Sequence, residues 1–188
     1  MEKYIGLLKS LISVSSLSRS EEPAAQIIRD FLSGEGIAFS TKVNNTWAKN
    51  KYWTEGLPVV LLNSHIDTVK PASGYTRNPF SPDVENGILY GLGSNDAGGA
   101  LVTLLAVFVH FNSVQNLPFN LIYAASAEEE ISGTNGLESI LDQLGKIDLA
   151  IVGEPTKMQM AIAEKGLMVL DCTAHGKSGH AAREEGEN

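Results

Sequence analysis

The 188-residue chain has very little cysteine, since Cys172 is its single example. One cysteine excludes an internal disulfide, and it also excludes zinc motifs that are built from several cysteines. Any metal ion would therefore be held by histidine and carboxylate side chains. The chain also lacks internal repeats and low-complexity segments, and 43% of its residues are hydrophobic. This composition is typical of a globular protein with one full domain and the beginning of another.

Basic residues are in the minority, because 14 Lys and Arg stand against 22 Asp and Glu and give a net charge of -8. This charge repels phosphate backbones and anionic lipid surfaces, so we expect neither nucleic acid nor a membrane as a partner. The first residues lack the order of a secretory signal, and we expect no apolar run long enough to span a bilayer. These observations predict a cytoplasmic protein.

The apolar residues follow two different periods along the chain. Helical spacing predicts amphipathic helices at 2–13 and 21–36, a short helix at 136–144, and a helix at 97–111 that is apolar nearly all round. Short, nearly continuous apolar runs predict strands at 58–63, 119–125 and 147–152. Strands of this kind that alternate with helices are typical of an α/β fold whose sheet is covered on both faces.

Residues able to bind metal follow each predicted strand directly. His65 and Asp67 follow the first, Glu128–Glu130 follow the second, and Glu154 follows the third. Because the carboxyl ends of such strands line one crevice, we expect these side chains to converge. A further acid, Asp96, follows a glycine-rich turn and precedes the apolar helix.

A crevice that holds several carboxylates is electrostatically unfavourable unless a cation neutralises them. One imidazole with oxygen ligands suits Zn²⁺, and Co²⁺ or Mn²⁺ could replace it. The number of ligands exceeds the need of one tetrahedral ion with an open position, which indicates two ions that share a bridging carboxylate.

Each of these residues, taken alone, also has an ordinary structural interpretation. His65 could be a strand-end histidine, although Asp67 is well placed to hold its other ring nitrogen. Asp96 could be the N-cap of the following helix. Glu128–Glu130 could be a solvated acidic turn, and Glu154 could be a surface turn residue. The arrangement as a whole favours a metal site.

The order His-x-Asp, Gly-x-Gly-x-x-Asp, a triple acid, Gly-Glu-Pro and Gly-His resembles the M20 metallopeptidase family. Within that family it is most similar to the branch of the acetylornithine deacetylases and succinyl-diaminopimelate desuccinylases. The resemblance implies an α/β catalytic domain with a mixed sheet flanked by helices, interrupted by a smaller α+β lid domain that forms a homodimer. We therefore expect the zinc-peptidase-like catalytic domain at 1–164 and a truncated lid at 165–188, which begins with a strand at 166–173.

The resemblance also implies roles for the candidate residues. It makes His65, Asp96 and Glu154 ligands of one zinc, with Asp96 bridging to a second zinc held by Glu130 and by a late histidine beyond Asn188. It makes Asp67 the residue that orients His65, Glu129 the general base, and His180 a lid histidine that reaches the partner's active site. The triple acid leaves a second alignment open, in which Glu128 and Glu129 are the base and the ligand.

These roles imply a zinc-dependent hydrolase that cleaves the amide bond of an N-acyl amino acid, of the N-acetylornithine or N-succinyl-amino-acid type, with a water molecule activated by zinc. Such an activity belongs to amino-acid biosynthesis, including that of arginine. Two alternatives stay open. The protein could be a di- or tripeptidase of the same family, or the 188-residue chain could be a catalytically incomplete metal-binding fragment.

Overall fold

The computed structural model describes residues 1–163 together with residues 166, 168, 170, 172, 173 and 175. The chain divides into two compact units, Met1–Lys157 and Met158–Asn188. All the helices and strands described below belong to the first unit. The predicted domain boundary near residue 165 and much of the predicted strand at 166–173 lie outside the described residues, so both stay predictions.

A five-stranded mixed sheet forms the centre of the first unit. In chain order the strands are β1 (Ser40–Lys42), β2 (Asn45–Lys49), β3 (Val59–His65), β4 (Val84–Glu85), β5 (Ile88–Leu89), β6 (Asn120–Ser126) and β7 (Leu149–Val152). The order across the sheet is β1-β2-β6-β3-β7, and β4 and β5 form a separate hairpin. β3 pairs in parallel with β6 and β7, whereas β2 runs antiparallel to β6. The predicted α/β class with a mixed sheet is confirmed.

Four helices flank this sheet. They are α1 (Glu2–Ile12), α2 (Glu22–Gly34), α3 (Ala100–Asn112) and α4 (Leu141–Leu144). α2 has a proline in its first turn, where the missing N–H costs no helical hydrogen bond. A short 3-10 turn, Leu137–Ile140, leads into α4. Each helix agrees with a helical segment predicted from the apolar spacing, with boundaries shifted by a few residues.

The sheet has an apolar core on each face, because successive strand residues point to opposite sides. On one face, Leu62 and Tyr123 pack with α1, α2 and α3 in the larger cluster. On the other face, Leu61 and Ile122 pack with a smaller cluster that includes Leu144 of α4. The prediction that both faces are covered is therefore confirmed for the central strands.

β7 is less covered than the central strands within the described residues. All four of its residues are exposed, and Leu149, Ile151 and Val152 keep between 46% and 56% of their surface accessible. β7 is the last strand in the sheet order, so only β3 pairs with it among the described residues. Within the described residues, β7 is therefore the edge strand of the sheet.

Within the part of the chain that the structure describes, one helical stretch, Ser94–Asn112, is long and apolar enough to cross a membrane by length and composition alone. This corrects the expectation that no run reaches such a length. The backbone of the stretch leaves helical geometry at Asp96 and Ala97, and regular α3 begins at Ala100. α3 buries one face, made of Leu101, Val102, Leu105 and Phe108, whereas Val107 is 39% exposed. The stretch therefore contains a helix packed on the sheet by one side, and it is less enclosed than its composition predicted.

Candidate metal centre

His65 is the last residue of β3 and lies at the carboxyl edge of the sheet. Only 2% of it is exposed. Its Nδ1 lies 2.9 Å from the backbone oxygen of Asp67 and 3.5 Å from the Asp67 carboxylate. An N–H at Nδ1 that donates to the carbonyl oxygen leaves the lone pair of Nε2 free, which is the tautomer of a metal-binding histidine.

Four acids from three other segments lie around His65, and three of them are close to its Nε2 atom. This atom lies 3.2 Å from Asp96, 3.8 Å from Glu154 and 3.9 Å from Glu129. Two groups of three residues, His65–Asp96–Glu130 and His65–Glu129–Glu154, each bring their ligand atoms within 4.8 Å of one another. The residues predicted from separate strand ends and from the glycine-rich turn therefore meet at one place.

Asp96 reaches this place from a wide turn, Ser94–Gly99, that precedes α3. The turn begins after Gly93, whose φ of 74° is a left-handed conformation that suits glycine. The peptide bond from Asp96 to Ala97 is cis. The N-cap of α3 is Gly99, and no side chain caps this helix. The interpretation of Asp96 as a helix cap is therefore excluded, since its carboxylate faces His65.

The three acids after β6 point in different directions. Glu128 is buried, with φ at 54°, and its carboxylate accepts hydrogen bonds from the backbone N–H and the side-chain amide of Asn135. Glu129 and Glu130 belong to the two groups around His65, and Glu128 belongs to neither. The structure therefore places Glu129 and Glu130 at the site, whereas Glu128 braces the loop that carries them.

Asp67 is a buried carboxylate that binds several segments of the site through hydrogen bonds. Its carboxylate accepts hydrogen bonds from the Ser18 hydroxyl at 2.7 Å and from the backbone N–H groups of Glu129 and Glu130, both at 3.1 Å. Burial opposes the charge on Asp67, but these donors and the contact with His65 outweigh it and hold the pKa of Asp67 below its usual range. Asp67 therefore fixes both the histidine and the acidic loop.

The charges of His65, Glu130 and Glu154 lie close to one another and shift the pKa of each group. Burial opposes protonation of His65, yet the Asp67 hydrogen bond and the negative charges of Glu154, Asp67 and Glu129 prevail and raise the pKa of His65 to about 9. Burial, followed by repulsion from neighbouring acids, raises the pKa of Glu130 and of Glu154. The cluster thus has an excess of negative charge that a divalent cation would neutralise. The donor set of one imidazole and several carboxylates fits such an ion.

His180 lies outside the described residues, so its catalytic role stays a prediction. Glu21 was not foreseen as part of the site, because an acid before Pro23 is typical of an ordinary helix start. It is fully buried, and it accepts a hydrogen bond from the backbone N–H of Glu128. No sequence pattern around Glu21 signals this contact, which depends on tertiary packing.

The geometry defines an α/β protein with a candidate metal site, and sequence comparison identifies its family. The profile described as peptidase family M20/M25/M40 matches residues 61–175, which is more than half of the chain. The chain therefore belongs to this family.

Among curated relatives, the chain is 30% identical over 196 residues to a succinyl-diaminopimelate desuccinylase of Wolbachia pipientis wMel, with 95% of this chain and 48% of the relative covered. A second desuccinylase, from Wigglesworthia glossinidia brevipalpis, is 30% identical over 203 residues, with 98% and 52% covered. The chain thus spans about half the length of the curated relatives it matches.

Solved structures share the fold at lower identity. An M20 family metallo-carboxypeptidase from Sulfolobus solfataricus has a TM-score of 0.63 at 23% identity, covering 81% of this chain and 36% of that one. The YXEP protein of Bacillus subtilis, described as a dinuclear metal binding peptidase from the M20 family, has a TM-score of 0.63 at 20% identity, with 80% and 42% covered. These similarities establish the catalytic-domain fold.

Proposed function

We propose that the whole protein is a two-zinc amidohydrolase that removes an acyl group from the nitrogen of an amino-acid-like substrate. The observation that carries this proposal is the convergence of four acids on one buried histidine, His65. Membership of the M20/M25/M40 family supports the reaction class, and the desuccinylases among the relatives support an N-acyl amino acid as the substrate.

The proposed ligands of the first zinc are His65, Asp96 and Glu154. The second zinc would share Asp96 and add Glu130 together with a histidine from beyond Asn188. Glu129 belongs to one of the two groups around His65, but it has the role of general base in this proposal. The side chain of Glu129 is 53% exposed and can meet solvent and substrate, as can that of Asp96, which is 55% exposed.

Two zinc ions at this place would polarise the amide carbonyl and lower the pKa of a water molecule. Glu129 would accept the proton of the attacking water and deliver it to the leaving amine nitrogen. Asp67 holds the backbone N–H groups of Glu129 and Glu130, so it would keep the base and the ligand at constant separation. A cleft beside Asp96 and Glu130 gives the substrate access and is lined by Thr68, Val69, Tyr75 and the Gly91–Asp96 turn.

The full gene product should be assayed on N-succinyl-diaminopimelate, N-succinylornithine, N-acetylornithine and a panel of di- and tripeptides. We expect a kcat/KM at least tenfold higher on one N-acyl amino acid than on any peptide. A chelator should abolish turnover, and Zn²⁺, Co²⁺ or Mn²⁺ should restore it. Hydrolysis of peptides alone would favour the peptidase alternative, which the solved M20 peptidases keep open. The absence of turnover on every substrate, with metal bound, would contradict the proposal.

We also propose that the protein acts as a homodimer in which His180 of one subunit serves the active site of the other. The support is the family resemblance of the segment Ser178–Ala181. Mixing an inactive Glu129→Gln variant with an inactive His180→Ala variant should restore activity on subunit exchange, because one site of each mixed dimer keeps both residues. Mixed dimers without activity would exclude catalysis across the interface, and a fully active His180→Ala variant would exclude a catalytic role.

A further inference from the structure

Glu21 is a fully buried carboxylate outside the two metal-binding groups. It lies immediately before α2, yet its side chain makes no capping hydrogen bond to that helix. Among the described residues, no lysine, arginine or histidine forms a salt bridge with it. A charge in such a position is strongly unfavourable unless hydrogen-bond donors surround it.

Three donors from separate segments supply these hydrogen bonds. The backbone N–H of Arg19 lies 2.7 Å from Oε1, and the side-chain amide of Asn44 lies 2.7 Å from Oε2. The backbone N–H of Glu128 also donates to Oε1, at 3.2 Å. Glu21 therefore joins the segment before α2, the turn between β1 and β2, and the acidic loop after β6.

The hydrogen bond from the backbone N–H of Glu128 to Glu21 is adjacent to the two that Asp67 accepts from the same loop. Asp67 holds the backbone N–H groups of Glu129 and Glu130, so two buried carboxylates hold three consecutive backbone N–H groups of the acidic loop. Glu128 is in the left-handed region, with φ at 54°, and this conformation sets the direction in which the chain enters Glu129. Loss of the Glu21 contact would make the backbone at Glu128, at the start of the acidic loop, more mobile.

We propose that Glu21 is a positioning residue, which fixes the backbone at Glu128 and thereby places the Glu129 carboxylate for proton transfer. This inference rests on the proposed function of Glu129 as general base. It predicts an effect on the chemical step, since small displacements of a catalytic group weaken proton transfer more than substrate binding. A residue with a purely structural role would lower the melting temperature and leave kcat per folded molecule unchanged.

The test uses the full gene product with three variants. Glu21→Ala removes all three bonds and should lower kcat by about tenfold to a hundredfold, with a smaller change in KM. Glu21→Gln keeps an oxygen for the Arg19 and Glu128 N–H groups, and its NH₂ can face Asn44 after that amide rotates, so kcat should stay near the wild-type value. Leu144→Ala, in the smaller core cluster, is the control: it should lower the melting temperature without lowering kcat.

A second readout does not depend on turnover. Hydrogen exchange measured by mass spectrometry should speed up in the peptide that contains residues 128–130 for Glu21→Ala, and it should not do so for Leu144→Ala. If Glu21→Ala does not fold, Glu21→Asp replaces it, since the shorter side chain cannot reach all three donors at once. Unchanged kcat and unchanged exchange in a folded variant would overturn the proposal. If the wild-type protein hydrolyses no substrate, the proposed function fails, and the exchange data alone decide the role of Glu21.

Discussion

At the scale of single residues, the carboxylates around His65 have distinct environments. Burial opposes the charge on Asp67, but the contact with His65, followed by the Ser18 hydroxyl and two backbone N–H groups, holds its pKa below the usual range. Glu130 and Glu154 have neighbours of the same sign, and burial and repulsion raise the pKa of both. Asp67 is thereby suited to a permanent structural charge, whereas the charges on Glu130 and Glu154 are most stable when cations bind beside them.

The exposed acid Glu129 is the residue whose loss should affect the reaction most selectively. We expect Glu129→Gln to lower kcat by about 10²- to 10⁴-fold, because the amide cannot accept the proton of the attacking water. Metal content, measured by plasma mass spectrometry, should stay the same. Glu138→Gln makes the same chemical change at an exposed glutamate outside the two groups around His65. It is the matched control and should be fully active. Undiminished turnover of Glu129→Gln would remove this residue from the mechanism.

The sequence was sufficient to predict which residues meet at the site. His65, Asp96, Glu130 and Glu154 were predicted from their places after strands or the glycine-rich turn, and the structure gathers them. The contact that holds the acidic loop from outside the metal-binding groups was not predictable from the sequence. Glu21 contacts the loop across 107 residues of sequence, and its burial depends on the turn between β1 and β2. No local pattern encodes a contact of that range.

At the scale of secondary structure, the strands with apolar runs were predicted and those without them were not. β1 consists of three exposed residues, Ser40–Lys42, and β2 contains a single large apolar residue, Trp47. Neither has the period that distinguishes a strand in sequence. β2 forms because its backbone pairs antiparallel with β6, 77 positions further along at the Trp47–Ala124 pair. Pairing over such a distance depends on the fold as a whole.

The loop after β6 should be sensitive to one added methyl group. A Cβ at Gly133 would overlap the Glu128 carboxylate, which occupies the space beside it. We expect Gly133→Ala to destabilise the protein by about 1–3 kcal/mol, as overpacking commonly does. Denaturant titration followed by circular dichroism would measure the change. Gly74→Ala is the control, since a Cβ there meets no atom within 4 Å. Equal stability of the two variants would show that the loop accommodates the methyl group.

The start of β3 depends on an acid at the start of β7. The Asp148 carboxylate accepts the backbone N–H of Val59 at 2.9 Å and pairs with Lys146. The bond with Lys146, and then that with Val59, holds the pKa of Asp148 below its ordinary value of 3.8.

A group with a lowered pKa in the folded state stabilises the protein above its unfolded pKa, and this contribution is lost as the pH falls through the folded pKa. We therefore expect Asp148→Ala to melt at a lower temperature than the wild type at pH 7. The difference should shrink as the pH drops below 3.8. Thermal melts over a pH series would measure it. Lys157→Ala, an exposed change outside this contact, is the control. A difference that is constant over the pH range would exclude the ionised carboxylate as its source.

At the scale of the whole 188-residue polypeptide, the outer side of β7 is a surface suited to association. Leu149, Ile151 and Val152 are exposed on an edge strand, and such edges pair with other chains. We expect the 188-residue polypeptide, expressed by itself, to form aggregates whose proportion rises with concentration. Ile151→Lys should reduce this association, because a charge on the edge opposes pairing. Size-exclusion chromatography with light scattering would measure both.

Val43→Lys, which adds the same charge in the turn between β1 and β2, is the matched control and should associate as the wild type does. Val43 is 58% exposed, so the substitution disturbs no core. A wild-type polypeptide that stays monomeric at every concentration and melts reversibly would contradict the prediction that β7 causes self-association.

The central place of β3 determines when the metal centre can form during folding. Its neighbours β6 and β7 come from far along the chain: Asn63 bonds Ala124 across 61 residues, and Ser64 bonds Gly153 across 89. Contacts of such sequence separation are slow to form, because a long loop must close before either strand gains a partner. His65 therefore meets Glu129, Glu130 and Glu154 only after β6 and β7 have docked on both sides of β3. A nascent chain is thus unable to capture a metal ion in the native geometry until synthesis has passed Glu154.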